Sequence, residues 1–499
     1  MLTLRQIRKA HIRKNRGAGE GRREMNDKTR RLAPRVGVAL ATAAMALAAC
    51  APEQPYFAPA FGFKNSYASA KGGSPVLLSN TEWWRGFKDP TLNALIDRAM
   101  RENIDLAIAR ERVNEALAQV DSIPAEASLT PDLEAKRTKA YGGSPRTRTA
   151  AGLEFSWLLD PYGARREQVK ASKALVEVAD AEVAAARLLL LQNLCNAVID
   201  LRYRQQLLTV RQEEVRARRQ TLNLTRTLVD QGSGTRLDLV QTEARLAETE
   251  AVIPMLRAAI GQEKYRIATL LGMAPGSLPV DLDRSTRQLR PAITPNVGIP
   301  SDLMRNRPDI RIAERLYYAS LSDLAVARAS LYPQLSLTGS ISLVSLSGNG
   351  SGSEYVFGPS IVLPALPDSP RRAAVSVRES RVRQANASWK GAVLDALYDV
   401  ESALLGYSAS TEAVSRSQRT VNLYDETVSL TRDLVSKDGA TIPALLEAQE
   451  NSADAKLILA ENMRQKARSY VALNVSLGSG NADALPEDSA PVIASAATQ

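Results

Sequence analysis

Residues Ala164–Gln231 read ARREQVKASKALVEVADAEVAAARLLLLQNLCNAVIDLRYRQQLLTVRQEEVRARRQTLNLTRTLVDQ, without a proline or a glycine. Apolar residues recur here every seven positions, with one step of four after Leu190. These positions are Val169, Val176, Val183, Leu190, Leu194, Leu201, Leu208, Val215, Leu222 and Val229. Such a repeat predicts a long helix packed side by side with others in a left-handed supercoil. At ~1.5 Å per residue the helix would be about 100 Å long.

The same pattern occurs again 206 residues later, in Arg371–Asp438, which also lacks proline. The equivalent positions are Val375, Val382, Trp389, Ala396, Val400, Tyr407, Val414, Val421, Val428 and Val435. The four-residue step falls at the same point in both copies. The chain is therefore interpreted as a duplication, with long helices expected at about 164–231 and 371–437.

Each long helix is followed by a short turn and a returning helix, expected at about 236–272 and 442–478. The turns contain Gly232, Ser233, Gly234 and Thr235 in the first copy and Asp438, Gly439, Ala440 and Thr441 in the second. Thr235 with Asp238 forms a capping-box pattern, and Pro443 suits a first helical turn. Pro254 is expected to kink or split the first returning helix.

Two pairs of strands are expected upstream of the long helices, at about 131–141 and 149–159 and at about 333–345 and 354–364. The turns between them are predicted at Gly142–Pro145 and Ser347–Ser353. Alternating apolar residues and a length near ten residues suit strands of a membrane-spanning barrel; soluble hairpins with one face on a core remain the alternative. Four strands cannot close a barrel, so membrane insertion would require several copies to pool their strands.

Composition argues against most enzyme classes and against nucleic-acid binding. The only histidine is His11 and the only cysteines are Cys50 and Cys195, which leaves little for triad, zinc or general-base histidine chemistry. Residues 1–35 carry +9 of the net charge of +10, so the remainder is nearly neutral. No catalytic residue, cofactor or metal site is predicted. Cys195 is interpreted as a buried small hydrophobe, and Asp399 and Glu401 as solvated charges.

The N-terminal segment resembles a secretory signal. A basic region precedes the apolar run Val36–Ala49, which is too short to span a membrane. We therefore predict a signal peptide over residues 1–49, with Met25 as an alternative start. Leu47–Cys50 resembles a bacterial lipobox, which makes Cys50 the predicted lipidation (palmitate) site; the alternative is an ordinary signal peptide cut nearby. A lipidated tether over 50–90, repeats over 91–290 and 300–480, and a flexible tail over 481–499 complete the expected organisation.

Several motifs along this duplicated frame resemble one family. They are Trp83-Trp84 with Phe87, Leu237-Asp238-Leu239 with Glu243, Arg307-Pro308-Asp309-Ile310 running on to Leu331-Tyr332-Pro333-Gln334-Leu335, Asp399-Val400-Glu401, and Leu445-Leu446-Glu447-Ala448-Gln449. Together they resemble the outer-membrane efflux factors, or TolC-type channel tunnels, and in particular the NodT-like lipoprotein branch of resistance-nodulation-division (RND) efflux systems. The resemblance extends over nearly all of residues 50–480.

The resemblance implies a mainly α fold with a small β part: duplicated helical hairpins and four membrane strands per chain. Three copies would form an α-barrel tunnel under a shared 12-stranded transmembrane β-barrel. The function implied is a passive exit duct for small xenobiotics or metabolites in the outer membrane. The implied partners are further copies of the chain, a periplasmic adaptor, an inner-membrane RND pump and outer-membrane lipid. Two alternatives remain: the duct of a type I protein secretion system, and a structural coiled-coil envelope lipoprotein.

By the same resemblance, Glu447 and Asp238 would form acidic rings at a channel constriction, and the turns at 232–235 and 438–441 would dock the adaptor. At Glu447 relatives usually carry aspartate. The simpler alternatives are that Glu447 is a solvated acid, that Asp238 is a helix-capping acid, and that the two turns only reverse the chain.

Overall fold

A computed structural model describes residues 62, 66–69, 82–139, 141–142, 144–278, 280–283, 287–292, 300–347, 350–437 and 439–480. The first half contains a short 3-10 helix, four α-helices and two strands. They are the 3-10 helix Trp83–Phe87, α1 (Pro90–Glu102), α2 (Ile104–Asp121), β1 (Ala127–Thr138), β2 (Arg146–Leu159), α3 (Ala164–Asp230) and α4 (Arg236–Leu270).

The second half has the same order of elements. They are the 3-10 helix Pro300–Asp302, α5 (Leu303–Asn306), α6 (Pro308–Ala329), β3 (Gln334–Leu346), β4 (Gly350–Val362), α7 (Ser369–Val435) and α8 (Ile442–Ser476). Helices α3 and α7 each have 67 residues, and α4 and α8 each have 35. The protein is mainly helical with one small sheet. Within the described residues, one compact unit comprises 123–170 and 322–379, and the remaining residues form a second.

The heptad pattern predicts which side of α3 and α7 is covered. None of the apolar heptad positions of either helix is exposed. At the four-residue step in α3, Leu190, Leu191, Leu194 and Cys195 are all buried. An apolar stripe at this period must be covered for a helix of this length to be stable in water. The two long helices and their covered apolar stripes are confirmed, and the left-handed supercoil stays a prediction.

The four strands form one antiparallel sheet in the order β1-β2-β3-β4, so the two halves of the chain are joined by the pairing of β2 with β3. The register places most of the large apolar residues of the four strands on one face, while Val344, Leu346 and Val356 lie on the other. The residues on the first face include Leu133, Leu153, Phe155, Trp157, Leu337, Ile341, Leu343, Tyr355 and Phe357. On the other face the guanidinium of Arg148 contacts the carboxylates of Glu134 at 2.9 Å and Glu354 at 3.1 Å.

Two strands start earlier than the sequence predicts. Strand β1 starts at Ala127 and β4 at Gly350, about four residues earlier than expected, and Gly350–Ser353 belongs to β4 and not to a turn. The glycines and serines of this segment are weak strand formers, but Leu343–Leu346 of β3 supply their partners in the ladder. Available backbone partners therefore override local strand propensity here.

The two largest apolar cores of the described residues lie in the mainly helical unit. In the first, Trp83 and Phe87 of the initial 3-10 helix pack edge-on against Tyr470 of α8, with ring centroids 6.1 and 5.1 Å apart. Cys195 is fully buried in the same core, and its burial raises the pKa of the thiol far above the usual range. The interpretation of Cys195 as a buried hydrophobe is confirmed. The second core is centred on Trp389 of α7.

Equivalent glycines end the two returning helices. Gly272 and Gly478 have φ of 71° and 73°, the left-handed region that favours glycine. A Cβ at either position would overlap a backbone carbonyl oxygen, that of Glu102 beside Gly272 and that of Asn306 beside Gly478. Each return therefore ends in close backbone contact with the residues just before α2 or α6.

Helix α4 continues through Pro254, so the helix is not split at this residue. The other predicted outcome, a kink at Pro254, stays a prediction. Pro254 is exposed, and its ring occupies no space in the core. In the described part of the chain, no helix has an apolar stretch long enough to cross a membrane.

Candidate functional site

The first turn of the candidate site reverses the chain between α3 and α4. Gly232 has φ of 76°, and the N–H groups of Ser233 and Gly234 both donate to the carbonyl oxygen of Leu228 at 2.9 Å. A Cβ on Gly234 would lie 3.0 Å from the backbone nitrogen of Val229. Ser233 and Thr235 are exposed and Gly234 is partly exposed. The predicted turn residues thus form a compact cap on the last carbonyls of α3.

The second turn is built in a similar way between α7 and α8. The N–H of Gly439 donates to the carbonyl oxygen of Leu434 at 2.8 Å. Thr441 is the N-cap of α8 and accepts from the N–H of Ala444 at 3.4 Å, and Pro443 lies in the first turn. Gly439 and Thr441 are exposed. Asp438 lies outside the described residues.

An apolar cluster holds the two turns together. It combines Leu224 and Leu228 of α3, Val435 of α7, Ala440, and Ile442, Leu445 and Leu446 of α8. About one helical turn beyond this cluster, the buried side chain of Gln449 donates to the hydroxyl of Thr221 at 3.0 Å. Packing between α3 and α8 therefore fixes the spacing of the two turns.

Asp238 serves the N-terminus of α4. Its carboxylate accepts from the Thr235 N–H at 3.0 Å and from the Thr235 hydroxyl at 2.5 Å, while the Asp238 N–H donates to the Thr235 hydroxyl. This is a complete capping box, which confirms the capping pattern. If Asp238 also belonged to an acidic ring at a constriction, the same carboxylate would have to serve both the ring and the capping box.

Glu447 faces a groove between α4 and α8 with a volume of about 430 Å³. The groove is lined by Gln241, Ala244, Arg245 and Glu248 of α4 and by Pro443, Leu446, Glu447 and Glu450 of α8. Glu447 is exposed and makes no ion pair with any residue that the structure describes. Asp238 does not line this groove, so the structure does not bring the two predicted acids together.

Sequence reasoning missed Arg245, the one basic residue of the groove lining. Its guanidinium lies 3.3 Å from the Glu248 carboxylate and 3.7 Å from the Glu450 carboxylate, and so it links α4 to α8. The duplication could have indicated which residues line this groove. The 206-residue spacing makes Gln241 equivalent to Glu447 and Ala244 to Glu450, and all four residues line it.

A buried ionic cluster joins α3 to α4 further from the turns. Glu214 accepts from Arg218 at 2.7 Å and from Arg211 at 2.7 Å, and the Thr249 hydroxyl of α4 lies 3.3 Å from its carboxylate. Burial raises the pKa of Glu214, but the hydrogen bonds and charges of the two arginines outweigh burial. The pKa of Glu214 therefore lies below its usual value.

The charged residues of the motif Arg307-Pro308-Asp309-Ile310 form ion pairs that join helices. Arg307 donates to Asp309, to Asp399 at 3.0 Å and to the carbonyl oxygen of Ser476 at 2.9 Å. It thereby joins the start of α6, the middle of α7 and the end of α8. Asp399 is exposed, as expected of a solvated charge, although it pairs with Arg307. Glu401 is partly buried and accepts from the N–H groups of Ala68 and Ser69.

Other predicted features give no site that the structure can describe. Cys50 and the signal peptide lie outside the described residues, as does the tail over 481–499. Among the described residues, no group of three or more His, Cys, Asp or Glu side chains is arranged to hold a metal ion.

Duplicated helical hairpins, an amphipathic four-stranded sheet and paired helix turns define the class of outer-membrane channel proteins. The chain belongs to the outer membrane efflux protein family, whose model matches residues 95–273 and 299–479. It is 33% identical over 411 residues to nodulation protein T of Rhizobium leguminosarum bv. trifolii, covering 80% of this chain and 87% of that protein.

Two further comparisons agree. The chain is 26% identical over 427 residues to the pyoverdine export outer membrane protein OpmQ of Pseudomonas aeruginosa, covering 80% of this chain and 87% of that one. Its fold matches that of the outer-membrane channel OprN with a TM-score of 0.80 and 30% identity, covering 86% of this chain and 99% of the other. The chain is therefore the outer-membrane component of an efflux system, as the motifs predicted.

Proposed function

We propose that three copies of this chain form a passive exit duct for small molecules, with their sheets pooled into a 12-stranded transmembrane barrel. One observation carries this proposal. Within the described residues each chain offers four strands whose outer members, β1 and β4, have free edges, and whose apolar face is exposed: Leu133 by 85% and Phe357 by 70%. An open edge and an uncovered apolar face are both unfavourable unless copies pair edge to edge in lipid.

Length supports a duct that extends away from the barrel. A helix of 67 residues is about 100 Å long at ~1.5 Å per residue. Nothing in a compact domain requires this length, whereas a duct crossing the periplasm does. We place the energy source elsewhere, in an inner-membrane RND pump, with a periplasmic adaptor that docks at the turns 232–235 and 438–441.

The cargo class is proposed as small xenobiotics or metabolites. The export protein OpmQ is named for a small molecule, pyoverdine, which favours this cargo over a secreted protein. The constriction is proposed at the starts of α4 and α8, with Glu447 as the principal acid and Asp238 as a second. Three Glu447 carboxylates near one axis would attract cations.

Adjacent residues of β4 test the membrane face. Phe357 lies on the apolar face and Val356 on the other, and both are exposed in the single chain. A lysine near the middle of a lipid-facing strand costs ~2–4 kcal/mol. We expect Phe357→Lys to reduce the yield of trimer from outer membranes and Val356→Lys to leave it unchanged.

The wild-type protein, purified in detergent, should migrate as a heat-labile trimer and pass ions across planar bilayers. A water-soluble monomer or dimer without conductance would contradict the duct and favour a structural coiled-coil lipoprotein. Equal trimer yields from the two lysine variants would contradict the assignment of the lipid face.

A further inference from the structure

Residues 66–69 form a short N-terminal segment that packs against the second core. The other residues of this core come from the second half of the chain. The side chain of Tyr67 is only 3% exposed. It belongs to the cluster formed by Leu303, Ile310, Trp389, Val393, Ala396, Val400, Leu473 and Leu477. A large aromatic side chain buried this completely contributes strongly to binding.

A carboxylate next to this core binds the backbone of the same segment. One oxygen of Glu401 accepts from the N–H of Ala68, and the other accepts from the N–H of Ser69 at 2.9 Å. Partial burial raises the pKa of Glu401, but hydrogen bonds from the Ser69 side chain and from the two N–H groups outweigh it and leave the pKa below its usual value. Two N–H donors on one ionised carboxylate are an arrangement that binds peptide backbone.

The duplication supplies an internal comparison. The residue equivalent to Glu401 in the first half is Cys195, which is fully buried and cannot accept from a segment at the surface. The residue equivalent to Trp389 is Val183. The neighbouring carboxylate, Asp399, is bound to Arg307. The combination of an aromatic core and a carboxylate that faces the segment is therefore particular to the second half.

We propose that Glu401 and the core around Trp389 form an intramolecular docking site for the N-terminal segment of the chain, with Tyr67 as its anchor. The occupant is the chain's own Ser66–Ser69, recognised by one aromatic side chain and two successive backbone N–H groups. The docking itself does not depend on the proposed lipidation or on channel activity.

The docking site limits where a lipid on Cys50 can reach. Tyr67 is 17 positions after Cys50, and a fully extended chain spans at most ~3.6 Å per residue. The acylated residue then lies within about 60 Å of the docked tyrosine. The docking site therefore limits how far a lipid on Cys50 can lie from the second core.

Hydrogen–deuterium exchange of the Ala68 and Ser69 amides in the full chain tests the proposal. We expect both amides to be protected in the wild type, and Glu401→Ala to speed their exchange about tenfold or more, since it removes two charge-assisted hydrogen bonds. Glu401→Gln keeps one acceptor oxygen, so we expect one amide to stay protected. Tyr67→Ala should expose both.

Glu426→Ala is the matched control, because Glu426 is an exposed acid on the same helix; it should leave both amides unchanged. Exchange of α8 amides in each variant reports whether the fold is intact. Exchange of Ala68 and Ser69 at the rate of a free peptide in the wild type would overturn the proposal, as would unchanged protection in both Glu401→Ala and Tyr67→Ala. Neither result depends on conductance, so the docking site and the duct can be contradicted independently of each other.

Discussion

Single residues in this protein matter most where backbone approaches backbone. At Gly478 the left-handed conformation and the nearby carbonyl of Asn306 leave no room for a Cβ. The sequence predicts that the returning helices end at about residues 272 and 478, and both positions are glycine. It did not reveal the reason, since the carbonyl that each glycine approaches lies more than 150 residues away in the chain.

Gly478→Ala should lower the free energy of unfolding by about 1–3 kcal/mol, because it combines a strained φ with a steric overlap. Gly391→Ala is the control: Gly391 lies inside α7, and no packed neighbour comes within 4 Å of the place that a Cβ would occupy there. Alanine at this position should be neutral or stabilising by up to ~1 kcal/mol. Thermal unfolding in detergent measures both. Equal effects of the two substitutions would contradict the close approach at Gly478.

Glu447→Ala should raise single-channel conductance and weaken block by divalent cations, because it removes an exposed carboxylate from each copy at the proposed constriction. Asp454→Ala is the matched control, an exposed acid two turns further along α8. Planar-bilayer recordings of both variants decide between a ring and a solvated acid. If Glu447→Ala has the same conductance and divalent-cation block as the wild type, Glu447 is not part of the constriction.

Asp238→Asn separates the two roles of the other predicted acid. If the capping box is its main role, α4 should lose about 0.5–2 kcal/mol of stability at its N-terminus while conductance stays the same. Hydrogen exchange at the first turn of α4 and bilayer recordings measure the two effects. A change in conductance without faster exchange would support a ring of Asp238 carboxylates.

At the scale of the element, the long helices are held to their returns by apolar stripes and by a small number of buried charges. The heptad predicts the stripe because burial along a helix follows its period. The charges are different. Glu214 and Arg218 lie on the covered side of α3 and pair with each other one turn apart on the same helix. The local pattern does not mark them as buried, because their cover comes from other helices, as with the Thr249 hydroxyl of α4 beside Glu214.

Glu214 should make stability depend on pH. Its pKa in the folded protein is below the unfolded value of about 4.3. The ionised carboxylate therefore stabilises the fold above that value, and the stabilisation is lost as the pH falls through the folded pKa. We expect the unfolding temperature to fall on acidification below about pH 5, and to fall less steeply in Glu214→Gln.

The neighbouring Glu213 is exposed and provides the control. Glu213→Gln should keep the wild-type pH profile. At neutral pH Glu214→Gln should be less stable than wild type by about 1–3 kcal/mol, since Arg218 loses its charged partner. Identical pH profiles for the two variants and the wild type would show that Glu214 does not carry the acid sensitivity.

At the scale of the whole molecule, attachment to the membrane combines a lipid with a sheet. A single acyl chain gives only weak, reversible membrane binding, whereas a barrel that includes the exposed apolar face would be held firmly. We propose both, with Cys50 as the lipidated residue.

Cys50→Ala should abolish metabolic labelling with palmitate while leaving the protein in the outer-membrane fraction. Cys195→Ala is the control and should keep the label, because Cys195 is buried inside the helical unit. Mass spectrometry of the N-terminal peptide checks the modified residue. A wild-type protein without label would favour an ordinary signal peptide cut near Cys50.

The sequence by itself determined the duplication, the long helices, the amphipathic strands and the family. The first three follow from periodicity along the chain, because burial follows the helix or strand period regardless of what covers it. The family follows from the motifs that resemble it. Only the tertiary structure decided that β2 pairs with β3 and that Arg245 links α4 to α8 in the groove lined by Glu447. The same holds for the packing of the N-terminal segment against the second core through Tyr67 and Glu401. These contacts join residues far apart in the chain, and a pattern along the chain carries no information on which distant residue completes a hydrogen bond or fills a core.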